Sequence, residues 1–177
     1  ILNERKLFEE CIESPQRKGL IHSFFAERAN TKIPELKEGK PIELKKIGVI
    51  GGGTMGTGIS MAAMNAGFNV IMIEQNDEAI QKAKAKIIST YDRSVKLNRI
   101  TTEQKNKTMD MFSATTNFSE LKDRDLIIEA VFENMDVKKE VFVKLNQICS
   151  QDCILASNTS YLNVNEIASV VDNPSRV

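Results

Sequence analysis

The sequence lacks the features that mark membrane-spanning, secreted and nucleic-acid-binding proteins. No apolar run approaches the roughly 20 residues that a membrane span needs, and no secretory signal opens the chain. The 24 Lys and Arg residues balance the 24 Asp and Glu residues. Since there is no excess of positive charge, neither nucleic acid nor an anionic membrane is indicated as a partner. The 177 residues suffice for one globular domain with a proper core and an appendage.

Cysteine and histidine are also scarce. The three cysteines, Cys11, Cys149 and Cys153, are odd in number and lack metal-ligand partners at suitable spacing. We expect them to be small buried hydrophobic residues in a reducing, intracellular compartment, and we expect no metal site. The only histidine, His22, is interpreted as structural, because it lies far in sequence from the glycine-rich motif described next.

The chain is organised around residues 45–74, KKIGVIGGGTMGTGISMAAMNAGFNVIMIE. An apolar β-rich run precedes a G-x-G-x-x-G motif, and the helical pattern that follows ends at Gly67. In this motif Gly51 permits a tight turn, Gly53 lets a pyrophosphate approach the backbone, and Gly56 lets the helix pack close to the strand. The free N–H groups and the positive dipole end of the helix would face the pyrophosphate.

A carboxylate follows the second strand of this unit, which we predict at residues 69–73. Glu74 lies 23 positions after Gly51, close to the roughly 20 expected for an acidic residue that binds an adenosine ribose. A carboxylate accepts hydrogen bonds from ribose hydroxyls and repels a 2′-phosphate, and Gln75 and Asn76 offer no Arg to hold one. The sequence therefore predicts a site for NAD rather than NADP. The alternative, that the glycine motif is only a turn, applies to a motif without this strand, helix and carboxylate around it.

The first 44 residues are predicted to lie outside the nucleotide-binding domain. Ser14 followed by Pro15 is a helix start, with Ser at the N-cap and Pro at the first helical position. Apolar residues then recur at helical spacing and are interpreted as core or a docking surface: Leu20, Ile21, Phe24 and Phe25. Residues 31–44 carry two prolines, a glycine and many charges, so we predict an interdomain linker there.

Residues 45–177 are predicted to form an α/β domain with a doubly wound parallel sheet of the Rossmann type. Helical patterns capped by Asn76, Thr101 and Asn134 alternate with apolar strands. The stripe expected to be buried on the helix after Asn134 is Val137, Val141, Phe142, Leu145 and Ile148. Ligands of such sheets bind beyond the carboxyl ends of the strands. We therefore expect three polar sites at strand ends to surround one crevice: Glu74, Glu133 and residues 157–160.

With these residues in place, the chain resembles the 3-hydroxyacyl-CoA dehydrogenase family over residues 45–177. The resemblance rests on four segments in the same order: IGVIGGGTMGTGI, VIMIE, LIIEAVFENMDVKKEVF and LASNTS. The segment SPQRKGLIHSFFAERA and the linker resemble the join between the hydratase and dehydrogenase parts of multifunctional β-oxidation enzymes. The resemblance implies NAD as cofactor, an acyl-CoA substrate and an enoyl-CoA hydratase domain upstream. It favours a peroxisomal location over a bacterial cytoplasm or a mitochondrion.

The family passes hydride from the 3-hydroxyl carbon of an acyl-CoA to NAD, and the proton to a histidine held by a glutamate. The resemblance implies that Glu74 holds the adenosine ribose and that Glu133 and Lys138 lie near the nicotinamide and its ribose. It also implies that Asn158 contacts the cofactor and that Ser160 bonds the substrate's reacting oxygen. The residues that would hold the pyrophosphate are Gly51, Gly52, Gly53, Thr54, Met55 and Gly56. Structural roles stay open for Glu133, at the start of a helix, and for Ser160, in a serine turn.

The resemblance places the catalytic histidine after Val177, followed by its glutamate partner, a substrate asparagine and a helical domain. Since the sequence also begins at Ile1 without a methionine, we expect a fragment of a longer enzyme that is inactive alone. Two other functions stay open. One is a non-catalytic NAD-binding or crystallin-like module, and the other is a sugar-acid dehydrogenase of the same superfamily.

Overall fold

The protein is described by a computed structural model that covers residues 2–30, 32 and 42–177. It divides into two compact units, residues 1–42 and residues 43–177. Most of the segment predicted to be a linker, residues 31–44, lies outside the described residues. None of the described helices is both long and apolar enough to cross a bilayer.

The first unit contains two helices, α1 (Leu2–Glu13) and α2 (Pro15–Ala29). The hydroxyl of Ser14 accepts the N–H of Arg17 at 3.2 Å, which confirms the predicted helix start. No described residue of either helix is buried, so the apolar stripe of α2 is not core; Leu20, for example, is 72% exposed. The prediction that all three cysteines are buried is wrong for Cys11, which lies on α1 and is exposed.

The second unit is built on a sheet whose strands are all parallel to their neighbours. The strands are β1 (Lys46–Ile50), β2 (Asn69–Ile73), β3 (Phe112–Thr115), β4 (Leu126–Glu129) and β5 (Ile154–Ser157). Their order across the sheet is β3-β2-β1-β4-β5. The predicted α/β fold with a parallel sheet is confirmed, and β1 lies at the point where the strand order reverses, which is where doubly wound sheets bind ligands.

Helices follow the strands of this unit. They are α3 (Thr54–Asn65), α4 (Asp77–Lys96), α5 (Thr102–Met109), α6 (Met135–Ile148) and α7 (Val164–Ala168), and each of them except α3 begins at a capping side chain. Single 3₁₀ turns lie at Phe118–Leu121 and Pro174–Arg176. Asn76, Thr101 and Asn134 each accept a backbone N–H of the helix that follows, as predicted. Such a cap typically stabilises a helix by about 1 kcal/mol.

The apolar core forms two clusters, one on each face of the sheet, because successive strand residues point to opposite faces. Met72 of β2 packs in the cluster that contains Ile87 of α4, whereas its neighbour Ile73 packs in the cluster that contains Phe142 of α6. The expected buried stripe of α6 is wrong at its first position: Val137 is 39% exposed.

Candidate functional site

The turn between β1 and α3 has the backbone that a pyrophosphate site requires. Gly51 has φ +96°, a left-handed conformation that L side chains rarely adopt, and its N–H donates to the carbonyl of Ile73 at 2.9 Å. Gly53 is the N-cap of α3 and supplies no side-chain cap. A Cβ atom at Gly53 would meet nothing within 4 Å. The amino end of α3 therefore opens onto free space.

Two further glycines allow close packing behind this turn. A Cβ atom on Gly56 would lie 1.7 Å from the carbonyl oxygen of Gly51, so only glycine fits where α3 crosses the end of β1. A Cβ atom on Gly52 would lie 2.7 Å from both Ala83 and Met72. These glycines hold the turn against the sheet, whereas Gly53 leaves room in front of it.

The carboxylate of Glu74 is fixed at the end of β2. One of its oxygens accepts the N–H of Gly52 at 2.5 Å, and the other accepts the N–H of Gln75 at 3.1 Å. An ionised carboxylate has about four lone-pair sites, so two remain for a ligand. Glu74 therefore links the second strand to the glycine turn and presents its remaining acceptors to the same space.

A second carboxylate, Glu133, lies across from the glycine turn in the loop after β4. Its Oε1 atom accepts the hydroxyl of Thr159 at 2.6 Å and the N–H of Ser160 at 2.9 Å. These hydrogen bonds, with the ammonium of Lys138 near its other oxygen, lower the pKa of Glu133 to about 2. Glu133 is therefore an ionised acceptor at neutral pH, and it ties the loop after β4 to the loop after β5.

Lys138 lies below the surface of the site. Its side chain is about 1% exposed, and its Nζ atom donates to both oxygens of Glu129, at 2.7 and 2.9 Å. The same Nζ lies 3.2 Å from Oε2 of Glu133. Lys138, and not Val137, is the buried residue in the first turn of α6, because its partner carboxylate, Glu129 at the end of β4, is buried in the domain.

One cavity of about 710 Å³ joins these groups, a size typical of ligand pockets. It is lined by eight of the eleven predicted site residues: Gly51, Gly53, Thr54, Met55, Glu74, Glu133, Asn158 and Ser160. Gly52, Gly56 and Lys138 are not among the described lining residues and support it from behind. The expectation that the polar strand ends surround one crevice agrees with this geometry.

Sequence reasoning missed the apolar wall of the cavity. Phe118, Val131 and Val137 line it, and they come from three separate segments. Val137 was expected to be buried with the rest of its stripe, and only the structure shows that it faces the cavity. Lys86 is not among the predicted site residues, but its Nζ donates to the hydroxyl of Thr54 at 3.2 Å, beside the amino end of α3.

Comparison with known protein families shows to which family this chain belongs. The sequence model of the family described as "3-hydroxyacyl-CoA dehydrogenase, NAD binding domain" matches residues 46–177. The chain belongs to this family. The resemblance stated from the sequence motifs is thereby confirmed, as is NAD as the cofactor of the domain.

Relatives of the chain come from plants, animals and bacteria. A peroxisomal fatty acid beta-oxidation multifunctional protein of Oryza sativa subsp. japonica is 35% identical over all of this chain, which covers 25% of that protein. A 3-hydroxybutyryl-CoA dehydrogenase of Clostridioides difficile is 40% identical over 75% of this chain and 47% of its own length. The chain thus spans a quarter to a half of the relatives it matches.

Solved structures show the same fold. The crystal structure of (S)-3-hydroxybutyryl-CoA dehydrogenase from Ralstonia eutropha superposes with a TM-score of 0.74 at 34% identity. The superposition covers 76% of this chain and 47% of the other. The Rossmann-type domain of the dehydrogenase family is therefore the part of those proteins that residues 43–177 reproduce.

The residues present fit NAD. The open space at Gly53 accommodates a phosphate close to the backbone, and no side chain among the described residues caps the amino end of α3. The two unused acceptor sites of Glu74 suit a ribose diol. The apolar surfaces of Phe118 and Val131 offer a flat base a place to pack.

Proposed function

We propose that this chain is the NAD-binding part of an enzyme that oxidises the 3-hydroxyl group of a 3-hydroxyacyl-CoA to a 3-oxo group in β-oxidation. One observation carries the proposal. Glu133 and Ser160, from the loops after two different strands, are hydrogen-bonded to each other in the cavity that also contains the glycine turn. That arrangement brings a hydroxyl for the substrate oxygen to the end of the site opposite the ribose-binding carboxylate.

The dinucleotide end of the site is held by backbone groups and one carboxylate. The first turn of α3, from Thr54 onward, directs its N–H groups and positive dipole end at the pyrophosphate. Lys86, hydrogen-bonded to Thr54, adds a positive charge beside the same phosphates. Glu74 accepts hydrogen bonds from the adenosine ribose and disfavours a 2′-phosphate by charge repulsion.

At the reacting end, bound NAD would supply the hydride acceptor, and the residues of this chain would orient the alcohol. The hydroxyl of Ser160 makes no hydrogen bond to the described residues, so it is free to bond the substrate oxygen. Glu133, with its pKa of about 2, holds the Ser160 backbone as an acceptor and does not carry a proton near neutral pH. Asn158 lines the same cavity, where it would contact the cofactor as the resemblance implies.

We also propose that the chain works within a longer multifunctional protein with an enoyl-CoA hydratase domain upstream, located in the peroxisome. This is supported by the rice relative, whose name is that of a peroxisomal multifunctional protein and of which the chain covers a quarter. The two-helix unit ahead of the dehydrogenase domain matches that relative as well, because the similarity extends over all of the chain.

Replacing Glu74 with alanine is expected to weaken NADH binding by roughly 1.5–3 kcal/mol, the range for hydrogen bonds to a charged group. The substitution removes the ribose acceptors and also the hydrogen bond that fixes Gly52. Replacing Glu74 with glutamine keeps an acceptor for Gly52, so we expect a smaller loss of affinity together with a weaker preference for NADH over NADPH. Calorimetric titration of each variant with both cofactors measures these effects.

The matched control for Glu74 is Glu78→Ala. It removes the same charge from the neighbouring first turn of α4, where Glu78 is exposed and pairs with Lys82 at 2.7 Å. We expect its NADH affinity to equal that of the unmodified chain. Equal affinities of Glu74→Ala and Glu78→Ala would show that the carboxylate of Glu74 does not bind the ribose.

A further inference from the structure

A fully buried carboxylate, Glu129, ends strand β4 beneath the crevice. Its Oε1 atom accepts Nζ of Lys138 at 2.7 Å and the N–H of Val131 at 2.7 Å. Its Oε2 atom accepts the same Nζ at 2.9 Å and the hydroxyl of Ser157 at 2.6 Å. All of its roughly four lone-pair sites are therefore occupied by the protein, and none remains for a ligand.

Stability alone is a poor reason for such a pair. Replacing a buried ion pair by apolar residues of similar volume is often neutral or stabilising, because desolvation of two charges offsets their attraction. Glu129 and Lys138 are 0% and about 1% exposed and lie in a domain with two well-packed apolar clusters. The pair is better explained by what it holds in place.

The hydrogen bonds of Glu129 connect every segment that forms the reacting end of the crevice. Its backbone pairs with Ile50 of β1 and Ser157 of β5, and its carbonyl accepts the N–H of Asn158 at 2.8 Å. Its side chain holds Lys138 of α6, whose ammonium also lies 3.2 Å from Glu133. Glu129 thus connects its own strand β4 to β1, β5, α6 and the loop after β4.

We propose that Glu129 is a positioning residue of the dehydrogenase site. It fixes the Lys138 ammonium, which holds one oxygen of Glu133 so that the other oxygen receives the N–H of Ser160. Through Ser157 it also fixes the start of the loop that carries Ser160. The inference rests on the proposed function, in which Glu133 and Ser160 form the reacting end of the NAD site.

Without the Glu129 carboxylate, Lys138 has Glu133 as its remaining carboxylate partner among the described residues. The ammonium then draws Glu133 toward the interior, and the bond from the Ser160 N–H to Glu133 lengthens. Loss of this alignment is expected to raise the Kd for NADH about tenfold, which is the effect of losing one hydrogen bond to a charged group. Ser160 has no contact with Glu129, so a change at Ser160 reports positioning and not local damage.

The test uses Glu129→Gln in the full 177-residue chain, with two readouts. One is the Kd for NADH by fluorescence titration, and the other is the hydrogen-exchange rate of the Ser160 amide by NMR in the absence of NADH. We expect the Ser160 amide to exchange several-fold faster and the Kd to rise about tenfold. The control is Ile87→Val, a fully buried change on the other face of the sheet. It should lower the denaturation midpoint and leave both readouts unchanged.

A second variant keeps the proposal testable if Glu129→Gln does not fold. Ser157→Ala removes one hydrogen bond of Glu129 and leaves the Glu129–Lys138 pair in place. We expect it to shift both readouts in the same direction by a smaller factor. Unchanged Ser160 exchange and NADH affinity in the folded variants would overturn the inference. Failure of the unmodified chain to bind NADH would contradict the proposed function, whereas the Ser160 exchange rates would still decide the role of Glu129.

Discussion

Replacing Gly53 with valine is expected to abolish NADH binding and to leave the fold intact. Gly53 has φ −64° and ψ −163°, a conformation open to any residue, and a Cβ atom there meets no protein atom within 4 Å. The new side chain would instead occupy the space in front of α3 that the pyrophosphate needs. Loss of two charge-assisted hydrogen bonds costs about 3 kcal/mol or more, so the Kd should rise roughly 100-fold or beyond. Fluorescence titration measures the Kd, and circular dichroism checks the fold.

The matched control for Gly53 is the same substitution at Gly58. Gly58 also lies on α3 and has open space around its Cβ position, but it is not among the described residues that line the cavity. Gly58→Val should keep the NADH affinity of the unmodified chain. Retained NADH affinity in a folded Gly53→Val variant would mean that the turn does not bind the pyrophosphate.

The second large effect concerns turnover. The 177-residue chain is expected to form no NADH from 3-hydroxybutyryl-CoA, although it binds the cofactor. Residues 43–177 contain no histidine, and the single histidine of the chain, His22, lies in the two-helix unit. A positioned general base typically contributes about 10²–10⁴ in rate, and oxidation of an alcohol requires removal of its proton.

Under the proposed function, the substrate would pack against exposed aromatic side chains of the crevice. Phe132 and Tyr161 line the crevice and are 80% and 77% exposed, as expected for side chains that a binding partner covers.

The control for turnover is a longer protein that continues through the histidine segment and the helical domain that the resemblance implies after Val177. We expect this protein to be active with NAD and 3-hydroxybutyryl-CoA. Comparable rates for the two proteins would show that residues 1–177 contain the base. No turnover by the longer protein, despite NADH binding, would favour the non-catalytic NAD-binding module.

Local sequence rules predicted the backbone around the glycine turn well. The tight turn at Gly51, the end of α3 before Gly67 and the cap at Asn134 each depend on neighbouring residues, and the structure has all three. Strand β2 ends at Ile73 as predicted, which places Glu74 at the mouth of the crevice. These features follow from backbone geometry that a short stretch of sequence determines.

Contacts between distant segments were not predictable in the same way. Glu129 directly follows an apolar run in the sequence, and the residues next to it do not indicate that Lys138 and Ser157 bond to its carboxylate. Val137 fits the apolar stripe of α6 by periodicity. In the structure, however, Lys138 is the residue of the first helical turn that faces inward, because its partner Glu129 is buried, and Val137 faces the cavity. Cys11 was expected to be buried on composition alone, yet it lies on a helix with no buried residue.

The central claim is that the crevice beside Gly51, Gly53 and Glu74 binds NAD rather than NADP. Calorimetric titration of the unmodified chain with NADH and, separately, with NADPH tests it most directly. The account predicts one NADH bound per chain, with an affinity at least about tenfold higher than that for NADPH, because Glu74 repels the 2′-phosphate. No binding of NADH to the folded chain, or equal affinities for the two cofactors, would contradict it.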